Sequence, residues 1–361
     1  MQSHQDVVVV GGGQAGLAIG YFLAQRGYDF TILDAAEEPA AAWRQRWDSL
    51  TLFTPARYSA LPGLAFPGDP DRYPTRDEVA DYLTGYAAHF ELPVELGNRV
   101  DSIQRPGLGY VVDVGGRTYA ADQVVVATGP FQTPRVPPFG ERLGPEVTQL
   151  HSRAYRSPDA IPSGRVLVVG GGNTGFQIAE ELSGSHEVHL AIGSRQTPLP
   201  QRVLGRDLFW YLEAAGLMHQ RVDSLIGRRM AGRDTLIGSS PRRLRRRHAV
   251  ALHGRAVAAD GSTVRFADGS ALEVGTVVWA TGFGADLSWV DVPVFDDRGN
   301  LVHTRGLTES PGLYFLGLTF QHTRGSALLG WVRYDAEYLA QEIGAFRAGI
   351  RAATHHGSPG G

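Results

Sequence analysis

The stretch D-V-V-V-V-G-G-G-Q-A-G, Asp6 to Gly16, decides the fold. Four consecutive valines predict a strand buried on both faces. Behind them Gly11, Gly13 and Gly16 have the spacing G-x-G-x-x-G. Gly11 permits a tight turn out of the strand, Gly13 lets backbone N–H groups approach a pyrophosphate, and Gly16 lets the next helix pack close to the sheet. The phosphates then sit on the positive end of that helix.

The spacing alone is weak evidence, but its surroundings agree with it. A second strand, Y-D-F-T-I-L, ends at Asp34, eighteen residues after Gly16. A carboxylate at that place accepts hydrogen bonds from a ribose hydroxyl pair. Strand, glycine turn, helix, strand and acid together predict a dinucleotide site rather than an ordinary glycine turn.

The second half repeats the first. G-R-V-L-V-V-G-G-G-N-T-G at 164–175 predicts another buried strand with Gly170, Gly172 and Gly175 behind it, a helix from about Asn173 to Ser183 and a strand over 187–192. Each unit closes with a buried strand ending in A-T-G, at Ala127-Thr128-Gly129 and at Ala280-Thr281-Gly282. Two fingerprints with two closures predict two dinucleotides on one chain. Counting eighteen residues on from Gly175 reaches Gly193, followed by Ser194 and Arg195, where the first copy has its acid. An acid repels a 2′-phosphate, whereas an arginine and a hydroxyl attract one, so the second site is expected to take NADP in preference to NAD. The first, with Asp34, suits the unphosphorylated ribose of FAD. Arg195 facing water is the plainer alternative.

Composition removes several classes of function. At 361 residues the chain has room for two domains, and its net charge of -3 offers no electrostatic case for nucleic acid. It has no cysteine, which removes disulfides, thiolate metal sites and C-x-x-C redox chemistry. No lysine occurs either, so all 34 basic residues are arginine and Schiff-base mechanisms are excluded. No signal-peptide pattern and no apolar run of about 18 residues is present, so a soluble, cytoplasmic protein without a membrane span is expected. The oligomeric state is open, a homodimer included.

Between these landmarks, residues 37–55 form an aromatic, arginine-rich connection with Trp43 and Trp47, which either wall in a flat ring or pack beneath a long loop. Prolines 55, 62, 67, 70 and 74 mark an extended excursion. Thr75 to Phe90 reads as an amphipathic helix with Thr75 as N-cap. Strands at 99–104, 109–114 and 117–120 suggest a small antiparallel meander before the first A-T-G strand, and prolines 130, 134, 137 and 138 mark a linker. Residues 205–240 read as helix and irregular connection, with F-W-Y-L at 209–212 as core or substrate-facing surface. The run P-R-R-L-R-R-R-H at 241–248 reads as a solvated face, or as a dock for an acidic partner. P-G-L-Y-F-L-G at 311–317 reads as a strand, and a helix is expected from about Ser326, its N-terminus aimed at the flavin. The tail H-H-G-S-P-G-G is expected to be disordered.

With these features in place, the chain resembles the flavin-containing monooxygenases, or class B flavoprotein monooxygenases, in their small bacterial branch. The resemblance covers nearly the whole chain. Where the family usually has G-G-x-W after its FAD acid, this chain has Ala41-Ala42-Trp43, which keeps the tryptophan but loses the glycines. Its linker signature survives only as His151-Ser152-Arg153-Ala154-Tyr155, with Pro145 and Val147 at the Phe and Gly positions. Tyrosine at 155 is similar to the heteroatom-oxidising members, whereas Baeyer-Villiger relatives carry tryptophan there. Phe53 falls where larger members place an active-site asparagine. The resemblance implies an oxidoreductase in which NAD(P)H reduces FAD. A C4a-(hydro)peroxyflavin then oxygenates a small thioether or amine with O2.

For FAD, it implies contacts from Gly11, Gly13, Gln14, Ala15 and Gly16, from Asp34, Ala35, Trp43 and Arg44, and from Thr128, Gly129, Gly317 and Leu328. NADP would be held by Gly170, Gly172, Asn173, Thr174 and Gly175, with Ser194, Arg195, Thr281 and Gly282. Trp43, Phe53, Gln321 and His322 are the candidate catalytic walls and donors, and His151 a hinge in the linker. No metal is implied.

The expected fold is α/β, with two Rossmann-like three-layer dinucleotide-binding domains. The NADP domain, 156–282, is inserted into an FAD domain formed by 1–155 and 283–361, with linkers near 130–163 and 281–285. The competing function is an NADPH-dependent flavoprotein reductase passing electrons to a protein such as ferredoxin, docked on the arginine cluster. A non-enzymatic sensor needs only one fingerprint.

Overall fold

The computed structural model describes residues 4–225, 227–228 and 235–356, with side chains to residue 349. The valine run forms the strand His4–Val10, and Val7, Val8 and Val9 are fully buried. It runs parallel to Phe30–Leu33 on one side and to Arg117–Val126 on the other. Alternation assigns its valines to two faces. Val7 and Val9 pack with the fingerprint helix Gln14–Gln25, helix Arg76–His89 and the last helix, Val332–His356. Val8 and Val10 meet Ile103, Tyr110 and Val112 of the meander.

The meander departs from expectation in one respect. Its third strand and the A-T-G strand are a single ten-residue strand, Arg117–Val126. Its first half alternates in burial and pairs antiparallel with Tyr110–Val114; its last four residues are all buried, and Leu313–Phe315 pairs with that half in parallel. The change of partner changes the sequence pattern midway, which reads as two elements.

The second sheet has five parallel strands, in the order Ala251–His253, Glu187–Ala191, Arg165–Val169, Thr276–Trp279 and Thr148–His151. Thr148–His151 precedes residue 156, so the second sheet draws on chain before the expected domain boundary. Helix Asn173–Leu182 covers one face through Phe176, Ile178 and Leu182. The other face is covered by a second antiparallel meander, Ala256–Asp260, Thr263–Phe266 and Ala271–Glu273, which the sequence reading did not place. Each half thus has parallel strands with their glycine-fingerprint helix on one side and a meander on the other, the first meander being continuous with its sheet through Arg117–Val126 and the second a separate sheet. Thr133–Pro134 and Phe283–Gly284 pair antiparallel where the chain crosses between the halves.

Helix Arg76–His89 begins as expected at Thr75: the Glu78 amide donates to Thr75 Oγ1 at 3.4 Å and the Thr75 amide to Glu78 Oε2 at 2.9 Å. The last helix begins at Val332, not at Ser326. Ser326 Oγ instead accepts the amides of His322 and Thr323 at 3.1 and 3.0 Å, which holds a turn. Gly330 passes so near the Tyr58 carbonyl that a Cβ would lie 2.1 Å from it, fixing where regular helix can start. That helix continues through His356, so His355 and His356 of the expected disordered tail are helical; residues 357–361, like 226 and 229–234 of the 205–240 connection, lie outside the described residues. Among the described residues no helix is long and apolar enough to cross a membrane.

Candidate dinucleotide sites and their junction

In the first cradle two glycines are mandatory for steric reasons. Gly11 has φ +108°, and a Cβ there would stand 2.7 Å from the Ala127 carbonyl oxygen of the first A-T-G; one on Gly16 would stand 1.9 Å from the Gly11 oxygen. Gly13, by contrast, has nothing within 4 Å of an added Cβ. It is the N-cap of the fingerprint helix, whose first turn has no side-chain cap and no acid, leaving its N–H groups to an outside acceptor. Asp34 is oriented by the Gly12 amide at 2.6 Å and the Ala36 amide at 2.8 Å, and each oxygen keeps acceptor capacity; Ala35 beside it is exposed.

The chain's last third returns to this helix. A Cβ on Gly317 would touch the Ala15 Cβ at 2.8 Å, and Gln14 Nε2 donates to the Ala327 carbonyl at 2.8 Å, next to Leu328. Thr128 Oγ1 accepts from Gln132 Nε2 at 2.8 Å, and Gly129, at φ +70°, borders open space. Arg44 points elsewhere: its guanidinium pairs with Asp81 of helix Arg76–His89 at 2.8 Å.

The second cradle repeats this geometry. Gly170 has φ +138°, with its Cβ position 2.1 Å from the Ala280 carbonyl oxygen; that of Gly175 is 2.1 Å from the Gly170 oxygen, and that of Gly172 is open. Asn173 is committed to the segment 235–237, donating to the Thr235 carbonyl at 3.0 Å and accepting the Ile237 amide at 2.9 Å, while Thr174 beside it is half-buried.

The structure corrects the residue count. The Gly11 amide donates to Leu33 and the Gly170 amide to Ala191, so the counterpart of Asp34 is Ile192 rather than Gly193. The second fingerprint helix has ten residues against twelve in the first, which upsets counting. A side-chain amide takes the acid's place: Gln196 Nε2 lies 2.5 Å from the Cβ position of Gly171, where Asp34 Oδ2 lies 2.8 Å from that of Gly12. Gln196 also donates to Ser194 Oγ at 3.2 Å, and Arg255, which the sequence reading passed over, donates to the Gly193 carbonyl at 2.9 Å. Ser194 and Arg195 are exposed.

Segments from both halves meet in an aromatic cluster. Phe53 stacks on Phe209 at 5.9 Å and 12°, Phe209 meets Trp331 at 5.5 Å, and Trp331 stacks on Tyr58 at 5.9 Å, with Leu328 and Ile237 alongside. Tyr73 Oη donates to Asp207 at 2.6 Å, Gln201 Nε2 to the Phe53 carbonyl at 2.7 Å, and Trp331 Nε1 to Glu213. Trp43 packs against the first core while Trp47, 4% exposed, is buried in the second, so the 41–53 connection pins both.

Of the candidate catalytic residues Gln321 and His322, the first is committed to the backbone. Gln321 is buried and spent on backbone, accepting the Leu318 amide at 3.2 Å and donating to Phe315 and Arg305 carbonyls at 3.0 and 3.3 Å, which makes it a loop staple. His322 is half-buried, and burial, followed by the charge of Arg305, holds its imidazole below the ordinary histidine range. His151 is a linker bolt: Nδ1 accepts the Arg153 amide at 3.1 Å, so Nε2 carries the proton that it shares with the Gly282 carbonyl at 3.0 Å. Burial keeps this ring neutral by lowering its pKa.

Two uncapped glycine cradles, each closed by the alanine carbonyl of its own A-T-G, define a two-dinucleotide-binding flavoprotein. A family model described as pyridine nucleotide-disulphide oxidoreductase matches residues 8–203. An uncharacterized CzcO-like oxidoreductase of Geobacillus kaustophilus (strain HTA426) is 44% identical over 345 residues, 95% of this chain and 99% of that one. The solved flavin-containing monooxygenase from Stenotrophomonas maltophilia is similar at 31% identity and a TM-score of 0.81, covering 96% of this chain and 99% of that one. The indole-3-pyruvate monooxygenase YUCCA1 of Oryza sativa subsp. japonica is 28% identical, across 93% of this chain and 90% of its own. The chain belongs to the pyridine nucleotide-disulphide oxidoreductase family and, within it, to the flavin-containing monooxygenases. It is a flavin-dependent oxidoreductase, and its sequence contains no cysteine.

Proposed function

We propose that the protein is an FAD-dependent, NAD(P)H-driven monooxygenase that transfers one oxygen atom of O2 to a small soft nucleophile, a thioether or amine. The observation that carries this is the convergence of two open cradles on one aromatic cluster shared by both halves. The first cradle suits FAD because Asp34 is held as a ribose acceptor; the second suits NADP(H) because Ile192 and Gln196 replace the acid and Arg195 and Arg255 lie nearby. FAD, when bound, supplies hydride acceptance and oxygen activation at its C4a carbon. The chain's own residues bind, orient and exclude water. Gly13 and Gly172 leave backbone N–H groups open to phosphate, and the stacked rings of Phe53, Phe209 and Trp331 make an apolar wall. Tyr155, buried with its hydroxyl on Glu181 at 2.9 Å, serves as packing in the second half rather than as a proton donor.

The test is rapid mixing of the NADPH-reduced holoprotein with oxygen, followed by absorbance. The expected result is a transient spectrum, neither reduced nor oxidised, that shortens when a thioether is added, with sulfoxide recovered. Direct return to the oxidised spectrum, with hydrogen peroxide matching the NADPH consumed, overturns the oxygenase function. The exposed Arg242, Arg245, Arg246 and Arg247 favour one second reading, a reductase that docks an acidic carrier such as ferredoxin; that reading requires rapid reduction of the carrier. Parallel titrations with NADP+ and NAD+ test the phosphate preference, which predicts tighter NADP+ binding.

A further inference from the structure

Arg46 is a cation that neither the fingerprints nor the aromatic cluster employs. Its carbonyl is fixed by two other arginines, Arg76 and Arg156, the latter donating at 2.8 Å. Its guanidinium lies against two phenylalanine rings, 5.5 Å from the centroid of Phe131 and 5.5 Å from that of Phe283. The rings meet edge to face at 5.7 Å.

These rings come from the two crossings between the halves. Phe131 is two residues beyond Gly129 and Phe283 is one residue beyond Gly282, the glycines that end the two A-T-G segments. Both glycines have positive φ, +70° and +82°, and open space where a Cβ would be. The next residue, Trp47, is buried in the second half with Phe176 of the second fingerprint helix. Arg46 therefore sits at the junction of the two cradles, on the side of the second.

Its charge has no counterpart there. Among the described residues Arg46 makes no ion pair, and its guanidinium donates no hydrogen bond to the protein. The charged neighbour it feels is a second cation, Arg153, whose own Nη1 donates to the Gln132 carbonyl at 2.6 Å. The adjacent His151 is held neutral and contributes no anion. A partly buried guanidinium with five donors and no protein acceptor leaves its N–H groups to water or to an anion from outside the protein. Cation–π contact with two rings fixes the plane of the fork, without satisfying its N–H groups.

Resting on the assignment of NADP(H) to the second cradle, we propose that Arg46 is a positioning residue for the pyrophosphate bridge of the nicotinamide dinucleotide, reaching it from the first half while the second holds the adenosine end. A guanidinium suits this because its planar fork matches phosphate oxygens in pairs. Arg46 would thereby link cofactor binding to the placement of one half against the other.

The experiment is a titration of the FAD-loaded full chain with NADP+ and, separately, with adenosine 2′-monophosphate, which lacks the bridge. It compares wild type, Arg46→Gln and Arg46→Lys. Arg46→Gln is expected to weaken NADP+ about 10- to 100-fold, to leave adenosine 2′-monophosphate within about twofold, and to leave FAD content unchanged. Arg46→Lys, which keeps the charge and loses the fork, is expected to fall between. Equal weakening of both ligands would mean that Arg46 only maintains the second half, and unchanged NADP+ affinity would mean that it touches no bridge; either overturns the proposal. Should Arg46→Gln fail to retain FAD, Arg46→Lys decides on the same two ligands. If the wild type binds adenosine 2′-monophosphate and NADP+ but Arg46 variants behave as wild type, the cofactor assignment stands and this proposal falls. If the wild type binds neither, both fall.

Discussion

His151 illustrates how one side chain can tie pH to stability. Its buried ring accepts one backbone amide and donates to one backbone carbonyl, an arrangement that only the neutral form satisfies. Its folded pKa is therefore below the value of about 6.5 expected in the unfolded chain. Above that value the ring is neutral in both states and costs nothing. As pH falls through it, the unfolded chain takes up a proton that the folded chain resists, and stability drops until the folded pKa is passed. His253, His303 and His322 are shifted in the same direction by burial. Thermal melts should therefore lose stability from pH 7 to pH 5, and His151→Asn should flatten part of that slope. An unchanged slope would show that His151 does not contribute.

At the level of elements, both fingerprints, both A-T-G closures and the Thr75 cap were legible because each is a local steric or hydrogen-bonding requirement. Gly16 announces itself since nothing larger fits 1.9 Å from the Gly11 oxygen. What escaped depended on partners distant in the chain. Arg117–Val126 reads as two strands because its two halves face different neighbours, and Ser326 could not reveal that Gly330 would meet the Tyr58 carbonyl. Arg46 escaped for the same reason: its rings lie 85 and 237 residues further along the chain.

The short hairpin Arg202–Val203 with Arg206–Asp207 offers a test of local strain. Its turn places Leu204 at φ +48° and Gly205 at φ +78°, and Leu204 is 94% exposed, so it gains no burial in return. Asparagine tolerates that backbone far better. Leu204→Asn should stabilise the protein by about 1 kcal/mol. A melt showing no gain would mean that the turn relaxes or that Leu204 is covered in solution.

Across the whole molecule, the connection at 41–53 is one of several ties between the two cores, beside their linkers, the shared aromatic cluster and the Val222 amide, which donates to the His322 carbonyl at 2.9 Å. Trp47 fills the second core beside Tyr155 and Phe176. Trp47→Ala should cost about 3–5 kcal/mol, as for other buried large-to-small changes. Because the tryptophan belongs to one half and its site to the other, calorimetry should also show one transition in the wild type separating into two in the variant. A single transition shifted only slightly would count against this coupling.

The same placement has a consequence for how the protein is made. Trp47 leaves the ribosome 231 residues before Val278, which completes the sheet that buries it. At about 5–20 residues per second this interval lasts roughly 10 to 50 s. Throughout it a large indole and the neighbouring Leu50 have no core to enter, and the first sheet still lacks Leu313–Phe315. The nascent chain must therefore carry an unfinished first half through synthesis of the second, so the order of translation exposes apolar surface that the finished molecule conceals, a natural point for chaperone capture.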